Sequence, residues 1–265
     1  MDDRPLGIFD SGIGGLTVCK EIRDLLPGEN IIYFGDTARF PYGTRSIDTV
    51  VRYSREITEY LLSRNVKMLV IACNTASAAA LDILRAEYSL PIIGVIDAGA
   101  RASCDRLKGN KVGVIATRAT VNSGSYVKAV KSLCPGIEVL QRHATIFVSL
   151  TEEGWLDDEI TRMTARRYLK EIHEQGVRTL ILGCTHFPLL KKAILDEFPD
   201  IDLIDTGVEI AREVRALLKE KNLENEGTAG HIELYASDIT DTIQRLKLMF
   251  FGRDGSEIQK LEISG

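Results

Sequence analysis

The stretch KMLVIACNTASA, residues 67–78 of this 265-residue chain, decides the fold. After its leading lysine it continues as a short apolar run, which is typical of a strand buried on both faces of a sheet. The small and polar residues after Cys73 begin a stretch with helical periodicity. A strand that leads directly into a helix is the unit of a parallel α/β sheet, where ligands bind beyond the carboxyl ends of the strands. Cys73 is therefore predicted to stand at the functional end of such a sheet.

The same alternation of short apolar runs and helical stretches extends along the chain. The predicted strands are residues 5–9, 31–34, 68–72, 92–96, 112–116, 137–140, 180–182 and 203–204. The predicted helices are residues 16–26, 47–63, 76–88, 98–107, 123–133, 157–175, 189–198 and 209–220. The pattern predicts mostly parallel sheets covered by helices on both faces, because parallel strands need long crossover connections.

A second stretch, RTLILGC at residues 178–184, resembles residues 67–73 in character at six of seven positions, and both copies end in cysteine. Two flanking strands match in the same order along the chain, residues 7–11 with 113–117 and residues 95–99 with 203–207. This internal repeat indicates two related halves. The alternative, that buried strands resemble one another through composition alone, stays open at this point.

The segment after residue 220 lies outside the repeat. Residues 222–230 form a polar linker, and residues 231–237 and 238–251 are predicted to form one further strand and one helix. Since a lone strand and helix could not bury their apolar faces, we expect them to pack on the first half.

The predicted fold class is α/β, with two pseudo-symmetric doubly wound domains, mostly parallel sheets and an active site in the cleft between them. Residues 1–97 plus 208–265 are predicted to form a discontinuous first domain, and residues 98–207 the second.

The charge balance and the cysteine pattern exclude several classes of protein. Lys and Arg number 33 against 38 Asp and Glu, a net charge of −5, which argues against a general nucleic-acid binder because such proteins neutralise phosphates with clustered cations. No apolar run approaches the ~20 residues of a membrane helix, and the acidic start is unlike a signal peptide. Five cysteines without a CxxC pair favour neither a disulfide framework nor a zinc ribbon. We expect a cytoplasmic protein with five free thiols and neither a nucleic-acid nor a membrane partner.

Two of the cysteines, Cys73 and Cys184, differ from the others by their position. Both follow a predicted strand, precede a helical stretch and are related by the repeat. A helix N-terminus carries partial positive charge, which favours a thiolate. Two thiols facing each other across a cleft suit a reaction in which one removes a proton from a carbon and the other supplies a proton to the opposite face. Cys19, Cys104 and Cys134 are predicted to be packing thiols.

Other reaction classes fit the two cysteines less well. A phosphatase loop needs arginine six positions after its cysteine, where this chain has Ala79 and Leu190. A papain-like nucleophile would leave the second cysteine unexplained. A zinc site built from Cys73, Cys184 and His186 lacks an obvious fourth ligand, but it stays open.

A glycine-rich segment, residues 12–15, follows the first predicted strand. The third glycine of the dinucleotide-binding fingerprint would fall at Thr17, so the match is incomplete. A non-catalytic small-molecule or nucleotide-binding protein nevertheless remains an alternative. Asp10, just before the segment, is predicted to set the ionisation of a neighbouring thiol or to contact an ammonium group, unless it is a structural aspartate at the end of the strand.

The chain resembles the glutamate racemases of the aspartate/glutamate racemase family in seven motifs that occur in order. These motifs are GIFDSGIGGLT at 7–17, YFGDTAR at 33–39, PYGT at 41–44, ACNTAS at 72–77, IAT at 115–117, SGSY at 123–126 and LGCTH at 182–186. They span most of the chain, from residue 7 to residue 186.

The resemblance implies a racemase that uses neither a cofactor nor a metal, with Cys73 and Cys184 as the two acid/base groups. It implies that Asp10 assists Cys73 and that His186 assists Cys184. The implied substrate-binding residues are Asp10, Ser11, Tyr42, Gly43, Asn74, Thr75, Thr117, Glu152, Thr185 and His186. The implied substrate is glutamate, in a homodimeric cytoplasmic enzyme that supplies D-glutamate for peptidoglycan.

The chain departs from the pattern of the family at three places. Phe187 stands where tyrosine is frequent, DAG at 97–99 replaces a common EPG, and SLTE at 149–152 replaces a usual PLVE. None of these changes removes an acid/base residue. The third change lies in the three residues directly before Glu152. An aspartate racemase or a related two-cysteine isomerase is the nearest alternative.

Overall fold

The computed structural model describes residues 2–227, 229–252 and 256–263. Its strands are β1 (Leu6–Asp10), β2 (Ile31–Gly35), β3 (Met68–Ile71), β4 (Ile92–Gly94), β5 (Lys111–Ala116), β6 (Glu138–His143), β7 (Thr179–Gly183), β8 (Asp202–Asp205), β9 (Ile232–Ala236) and β10 (Ile258–Lys260). Its α-helices are α1 (Leu16–Leu25), α2 (Ile47–Ser63), α3 (Asn74–Glu87), α4 (Val95–Asp105), α5 (Arg118–Ser123), α6 (Ser125–Leu133), α7 (Ile146–Glu153), α8 (Glu159–Glu174), α9 (Lys191–Glu197), α10 (Thr206–Glu220) and α11 (Asp241–Phe251). Strands and helices alternate through most of the chain, as the periodicity predicts.

The strands form two sheets in which the neighbouring strands are parallel. The first sheet has the order β10-β9-β2-β1-β3-β4, and the second has the order β6-β5-β7-β8. The second order repeats the β2-β1-β3-β4 part of the first. This shared order confirms the predicted α/β class with two pseudo-symmetric halves, which we call the six-stranded half and the four-stranded half after their sheets.

Apolar side chains on both faces of each sheet form the core. In β1, Leu6 and Ile8 pack with residues of α1 and α10, whereas Phe9 packs with residues of α2 and α3 on the other face. In β5, Val114 and Ile115 likewise belong to different clusters. Successive side chains of a strand point to opposite faces. Because both faces are covered, the strands are apolar at consecutive positions, which is why they read as continuous apolar runs.

The structure differs from the predicted elements at several places. β4 ends at Gly94 and α4 begins at Val95, so the apolar run to Ile96 is not all strand; its last residues are buried on the helix. The helix predicted over residues 123–133 is interrupted at Gly124, whose φ of 65° lies in the left-handed region. The sequence analysis does not predict α7 or β10, and of α5 it includes only the last residue, Ser123.

The segment after α10 returns to the six-stranded half. β9 pairs with β2, β10 pairs with β9, and α11 packs against α1. This placement agrees with the predicted packing on the first half, although two strands rather than one complete the sheet. The exact domain limits, residues 1–97 plus 208–265 and residues 98–207, stay a prediction.

The expectation of five free thiols is wrong for Cys104 and Cys134. The packing of α4 against α6 places their Cα atoms 6.2 Å apart, within the usual span of a disulfide, and the two sulfurs are bonded. A separation of 30 residues hides this proximity in the sequence. Cys19, Cys73 and Cys184 are free and buried, and Cys19 packs in the core.

In the part of the chain that the structure describes, no helix combines the length and the apolar character that a membrane crossing requires.

Candidate active site

The two halves meet at a cleft beyond the carboxyl ends of their strands. β1 and β3 end there in the six-stranded half, and β5 and β7 end there in the four-stranded half. The cleft contains a cavity of about 120 Å³, which is smaller than the ~300–1,000 Å³ of pockets for drug-sized ligands. The cavity is lined by Ser11, Phe40, Pro41, Tyr42, Gly43, Thr44, Cys73, Asn74, Thr75, Thr117, Thr145, Val148, Ser149, Glu152, Cys184, Thr185 and His186. A larger open groove of about 990 Å³ beside α4 and α10 contains neither Cys73 nor Cys184.

All the predicted site residues except Asp10 line this cavity. The side chain of Asp10 is buried, with 1% exposed, and does not form part of the wall. The structure therefore brings the predicted residues of both halves together, while the proposed contact between Asp10 and substrate stays a prediction. The lining residues that the sequence analysis misses are Phe40, Pro41, Thr44, Thr145, Val148 and Ser149.

Cys73 stands between β3 and α3, as predicted, and its sulfur caps the helix. Its Sγ accepts a hydrogen bond from the backbone N–H of Ala76 at 3.4 Å and lies 3.5 Å from Ser11 Oγ. Burial, and after it the charge of Asp10, raise the pKa of Cys73 to about 12. The helix N-terminus therefore does not yield the thiolate that the sequence analysis expects, because loss of water and a negative neighbour outweigh the hydrogen bonds. The folded protein thus favours the thiol form of Cys73 over the thiolate.

Asp10 connects the two halves beside Cys73. Its Oδ2 accepts hydrogen bonds from the backbone N–H of Gly15 at 2.7 Å and from the Thr185 hydroxyl at 3.3 Å. Its Oδ1 has no hydrogen-bond partner among the described residues. Burial raises the pKa of Asp10, against the opposing effects of His186 and of the hydrogen bond from Gly15. Asp10 is thus placed to influence the ionisation of Cys73 rather than to form the cavity wall.

Cys184 has different surroundings, because the loop after β7 is longer. A 3-10 helix begins only at Phe187, so Cys184 does not cap a helix. His186 lies in this loop, with Nδ1 3.8 Å from Cys184 Sγ and Nε2 3.3 Å from Glu152 Oε1. Burial lowers the pKa of His186, but the hydrogen bonds with Cys184 and Glu152 outweigh it and raise the pKa to about 10. His186 is therefore a cation at neutral pH, held between a sulfur and a carboxylate.

The loop of residues 40–44 closes another side of the cavity. Tyr42 is fully buried, and its hydroxyl donates a hydrogen bond to Asp36, so the hydroxyl is already used within the protein. Gly43 packs against Thr117 of the other half, where an added Cβ would lie 2.9 Å from Thr117 Cβ. Glycine at this position thus allows the loop to approach the four-stranded half closely.

Three threonine hydroxyls meet beside the cavity. Thr75 Oγ1 lies 3.0 Å from Thr117 Oγ1 and 3.2 Å from Thr120 Oγ1, and the last two are 3.1 Å apart. Thr75 belongs to the six-stranded half and the other two to the four-stranded half, and all three are buried. Hydroxyls both donate and accept, so this cluster can turn donors towards an anionic ligand. The sequence analysis does not identify Thr120. Its position one helical turn after Thr117 could have indicated that the two hydroxyls lie close together.

The glycine-rich segment at residues 12–15 packs against the Cys184 side of the cleft. A Cβ on Gly14 would lie 2.3 Å from Thr185 Oγ1 and 2.5 Å from His186 Nδ1. The hydroxyl of Thr17 donates to the backbone carbonyl of Thr185 at 3.1 Å. The protein itself therefore fills the space that a phosphate would need above this helix N-terminus, which disfavours the nucleotide-binding alternative.

Helix α7 supplies a wall that the sequence analysis treats only as a motif around Glu152. Val148, Ser149 and Glu152 line the cavity, whereas Phe147 and Leu150 are buried in the core of the four-stranded half. These positions divide between two faces of one helix. The helical spacing of the apolar residues could have predicted the helix, but not which of its faces lines the cavity.

The alternative of a zinc site finds no support in the geometry. Within residues 2–227, 229–252 and 256–263, no group of three or more His, Cys, Asp or Glu side chains is arranged to hold a metal ion.

Comparisons with known proteins agree with this geometry. Residues 12–214 match the family model described as Asp/Glu/Hydantoin racemase. A glutamate racemase of Geobacter metallireducens is 45% identical over 265 residues, which cover 99% of this chain and 98% of that protein. The crystal structure of a Francisella tularensis glutamate racemase in complex with D-glutamate has a TM-score of 0.92 at 38% identity, covering 100% of this chain and 99% of that one. A glutamate racemase isoform from Bacillus anthracis has a TM-score of 0.95 at 33% identity, covering 99% of each chain. The chain therefore belongs to the Asp/Glu/Hydantoin racemase family and, within it, to the glutamate racemases.

Proposed function

We propose that this protein interconverts L-glutamate and D-glutamate by moving a proton at Cα between two thiols, without a cofactor. The observation that carries the proposal is that Cys73 and Cys184 follow equivalent strands of the two halves and line one cavity. One cysteine, as the thiolate, takes the α-proton from one face of the carbon, and the other, as the thiol, gives its proton to the opposite face and is left as the thiolate. The carbon is thereby inverted, and the next turnover begins with the two roles exchanged.

The residues around the cavity supply the stabilisation that this chemistry needs. The α-proton of an amino acid is a weak acid, and a positioned general base contributes only ~100- to 10,000-fold to the rate. The remaining stabilisation requires preorganised donors directed at the developing negative charge, in a site that excludes water. The hydroxyls of Thr75, Thr117 and Thr185 and the amide of Asn74 are candidates for this role, because all four residues line the cavity and are buried.

The two thiols act on different isomers. In this proposal Cys73 removes the α-proton of D-glutamate and Cys184 removes that of L-glutamate, each returning a proton to what the other has deprotonated. Asp10 assists Cys73, whose pKa is sensitive to its charge. His186 assists Cys184, because its protonated Nδ1 lies 3.8 Å from the sulfur and can donate to it. Glu152 orients His186 from the opposite ring nitrogen.

The cellular setting forms the last part of the proposal. A soluble racemase of this kind works in the bacterial cytoplasm, as a homodimer, and supplies D-glutamate for peptidoglycan. The family membership supports the setting, and sedimentation at several protein concentrations would measure the oligomeric state.

Racemisation in deuterated water tests the function. With L-glutamate as substrate, D-glutamate should form and should carry solvent deuterium at Cα, and L-aspartate should turn over far more slowly. Cys184→Ala should abolish racemisation, whereas Cys19→Ala, which removes a free thiol from the core, should retain it wherever the protein folds. Full racemisation by Cys184→Ala would exclude the two-thiol mechanism, and faster turnover of aspartate than of glutamate would change the substrate.

A further inference from the structure

The side chain of Tyr126 is held in one position within the four-stranded half. It lies on α6 and is completely buried. Its ring fits between two glycines: a Cβ on Gly183 would lie 3.0 Å from one ring edge, and a Cβ on Gly99 would lie 3.4 Å from the other. Gly183 immediately precedes Cys184. The packing therefore fixes the ring next to the strand that carries a proposed acid/base residue.

The hydroxyl of Tyr126 reaches across to the other half. It donates a hydrogen bond to Oδ1 of Asn74 at 2.6 Å, and Asn74 is the first residue of α3. Burial raises the pKa of Tyr126 well above its usual range, so the phenol remains a donor at every working pH. The bond joins the two halves directly behind the cavity, because Asn74 itself lines the cavity.

The other end of the Asn74 amide has an unmet hydrogen-bonding requirement. Its Nδ2 is buried and has no hydrogen-bond partner within the described part of the chain. An unpaired buried donor is costly, and native proteins rarely keep one without a reason. A substrate carboxylate oxygen is the partner that would satisfy this N–H group, since carboxylates only accept hydrogen bonds when ionised.

We propose that Tyr126 is a positioning residue, which holds the Asn74 amide so that Nδ2 donates to a carboxylate oxygen of the substrate. The identity of that substrate as glutamate rests on the proposed function. The two ends of an amide group have nearly the same shape, so only its hydrogen bonds decide which end faces the cavity. Without the phenol, the amide is free to rotate and to present Oδ1, an acceptor that repels a carboxylate. One hydroxyl outside the cavity wall thus decides whether Asn74 attracts or repels the substrate.

The variant Tyr126→Phe tests the proposal, because it keeps the ring packing and removes only the hydroxyl. We expect kcat/KM to fall roughly five- to fifty-fold for both isomers, the cost of one disoriented hydrogen bond to a charged group. Most of the change should be a rise in KM, since a carboxylate contact is made equally in the ground state and the transition state. Tyr88→Phe is the matched control: the Tyr88 hydroxyl bonds Glu59 at 3.3 Å, away from the cavity, and its loss should leave kcat/KM unchanged.

A double-mutant cycle with Asn74→Ala separates positioning from a merely structural role. If Tyr126 acts through Asn74, then Tyr126→Phe should cause no further loss of kcat/KM in the Asn74→Ala protein. Fully multiplicative losses, or a lowered melting temperature with unchanged kcat/KM, would overturn the proposal. Asn74→Asp is a second test, which leaves Tyr126 intact. The new carboxylate still accepts the hydrogen bond from the phenol, but it has no N–H group to donate to the substrate, so KM should rise. An unchanged KM in Asn74→Asp would also overturn it.

A failure of the positioning role of Tyr126 can be distinguished from a failure of the proposed function. If the wild-type protein racemises glutamate and Tyr126→Phe does so equally well, only the positioning role is wrong. If the wild-type protein does not racemise glutamate, the function is wrong, and calorimetry with D-glutamate then decides the positioning role. Weaker binding by Tyr126→Phe than by wild type would support it, whereas equal binding or no binding by either protein would overturn it.

Discussion

The surroundings of Cys73 and of Cys184 differ, although the two cysteines follow equivalent strands. Cys73 caps α3 and contacts uncharged groups: its Sγ accepts a hydrogen bond from the backbone N–H of Ala76 and donates one to the hydroxyl oxygen of Ser11. Its pKa is raised to about 12. Cys184 is followed by a longer loop that places the imidazole of His186 3.8 Å from its sulfur. One thiol thus has neutral neighbours and a nearby buried carboxyl group, and the other has a cation.

This difference shows what a repeated fold determines and what it leaves open. The shared strand order explains why both sulfurs reach one cavity, because the carboxyl ends of β3 and β7 occupy equivalent places in their sheets. The electrostatic environment depends instead on the few residues after each strand, and these are not repeated: Asn74-Thr75-Ala76 begins a helix, whereas Thr185 and His186 form a loop. We therefore expect variants on the two sides of the cleft to have unequal effects.

Replacement of either cysteine by serine should produce the largest effects. The two variants should also differ in the glutamate isomer that still exchanges its α-proton. Racemisation should fall at least ~100- to 10,000-fold in both Cys73→Ser and Cys184→Ser, because each removes one of the two proposed acid/base groups. The remaining thiol can still exchange the α-proton of the isomer that faces it. Cys73→Ser should exchange solvent deuterium only into L-glutamate, and Cys184→Ser only into D-glutamate, as measured by NMR of the recovered substrate. Exchange into both isomers by either variant would contradict the assignment of one thiol to each face.

The sequence predicts the position of the two thiols because strand and helix signals are local. The strands predicted before Cys73 and Cys184 end within one residue of the ends of β3 and β7, and α2 is predicted with its observed limits. The wall formed by α7 is not predicted, because only packing against the core shows which face of a short helix points to the cavity. The bond between Cys104 and Cys134 is missed because it depends on the contact of α4 with α6.

The ionisation of the site could not be predicted from the sequence in the same way. The position of Cys73 at a helix N-terminus correctly indicates a hydrogen bond from Ala76, but the pKa depends on total burial and on Asp10, which are properties of the folded protein. The partnership of His186 with Cys184 is suggested by their proximity in sequence. The contribution of Glu152 requires the three-dimensional contact with Nε2.

Replacement of the cation on the Cys184 side should give the next largest effect. His186→Asn should lower kcat/KM roughly ten- to a hundred-fold at pH 7, since it removes a charged donor to a reacting group. Activity that depends on protonated His186 should fall in the wild type as the pH rises through about 10, and this limb of the pH profile should be absent in the variant. An unchanged high-pH limb in His186→Asn would show that another group, such as Cys73, is responsible for it.

The same ionisation affects stability in a defined direction. The pKa of His186 rises from the ordinary histidine value of 6.5 to about 10 in the folded protein, so its proton stabilises the fold. The protonated side chain of His186 makes its full contribution to the free energy of unfolding below pH 6.5. This contribution declines as the pH rises towards 10 and is lost above it. Urea unfolding at several pH values should show a decline in the free energy of unfolding across this interval that is steeper for the wild type than for His186→Asn. Equal slopes would mean that His186 is not charged in the folded protein.

Removal of the charge on Glu152 should have a smaller effect of the same kind. The carboxylate bonds Nε2 of His186 at 3.3 Å, but its side chain is 29% exposed, so water screens the interaction. In Glu152→Gln the pKa of His186 should decrease, which moves the high-pH limb of kcat/KM to a lower pH, with a loss of activity of only a few-fold or about tenfold at most. Glu153→Gln is the matched control, since it removes the same charge from the neighbouring, exposed position outside the cavity wall. A shift of equal size in both variants would indicate a general effect of charge.

Loss of the uncharged hydroxyl on the Cys73 side should give the smallest effect. Ser11 Oγ accepts a hydrogen bond from Cys73 Sγ at 3.5 Å, and a neutral thiol is a weak donor, so Ser11→Ala should lower kcat/KM only about two- to fivefold. The pH profile should keep the limb that belongs to His186. Because the lost contact is on the Cys73 side, deuterium exchange into D-glutamate should slow more than exchange into L-glutamate. Ser132→Ala, on the exposed surface of α6, is the matched control and should change neither rate of exchange. If Ser11→Ala instead slowed exchange into both isomers equally, Ser11 would act on the substrate rather than on Cys73, and the two sides of the cleft would differ less than their contacts indicate.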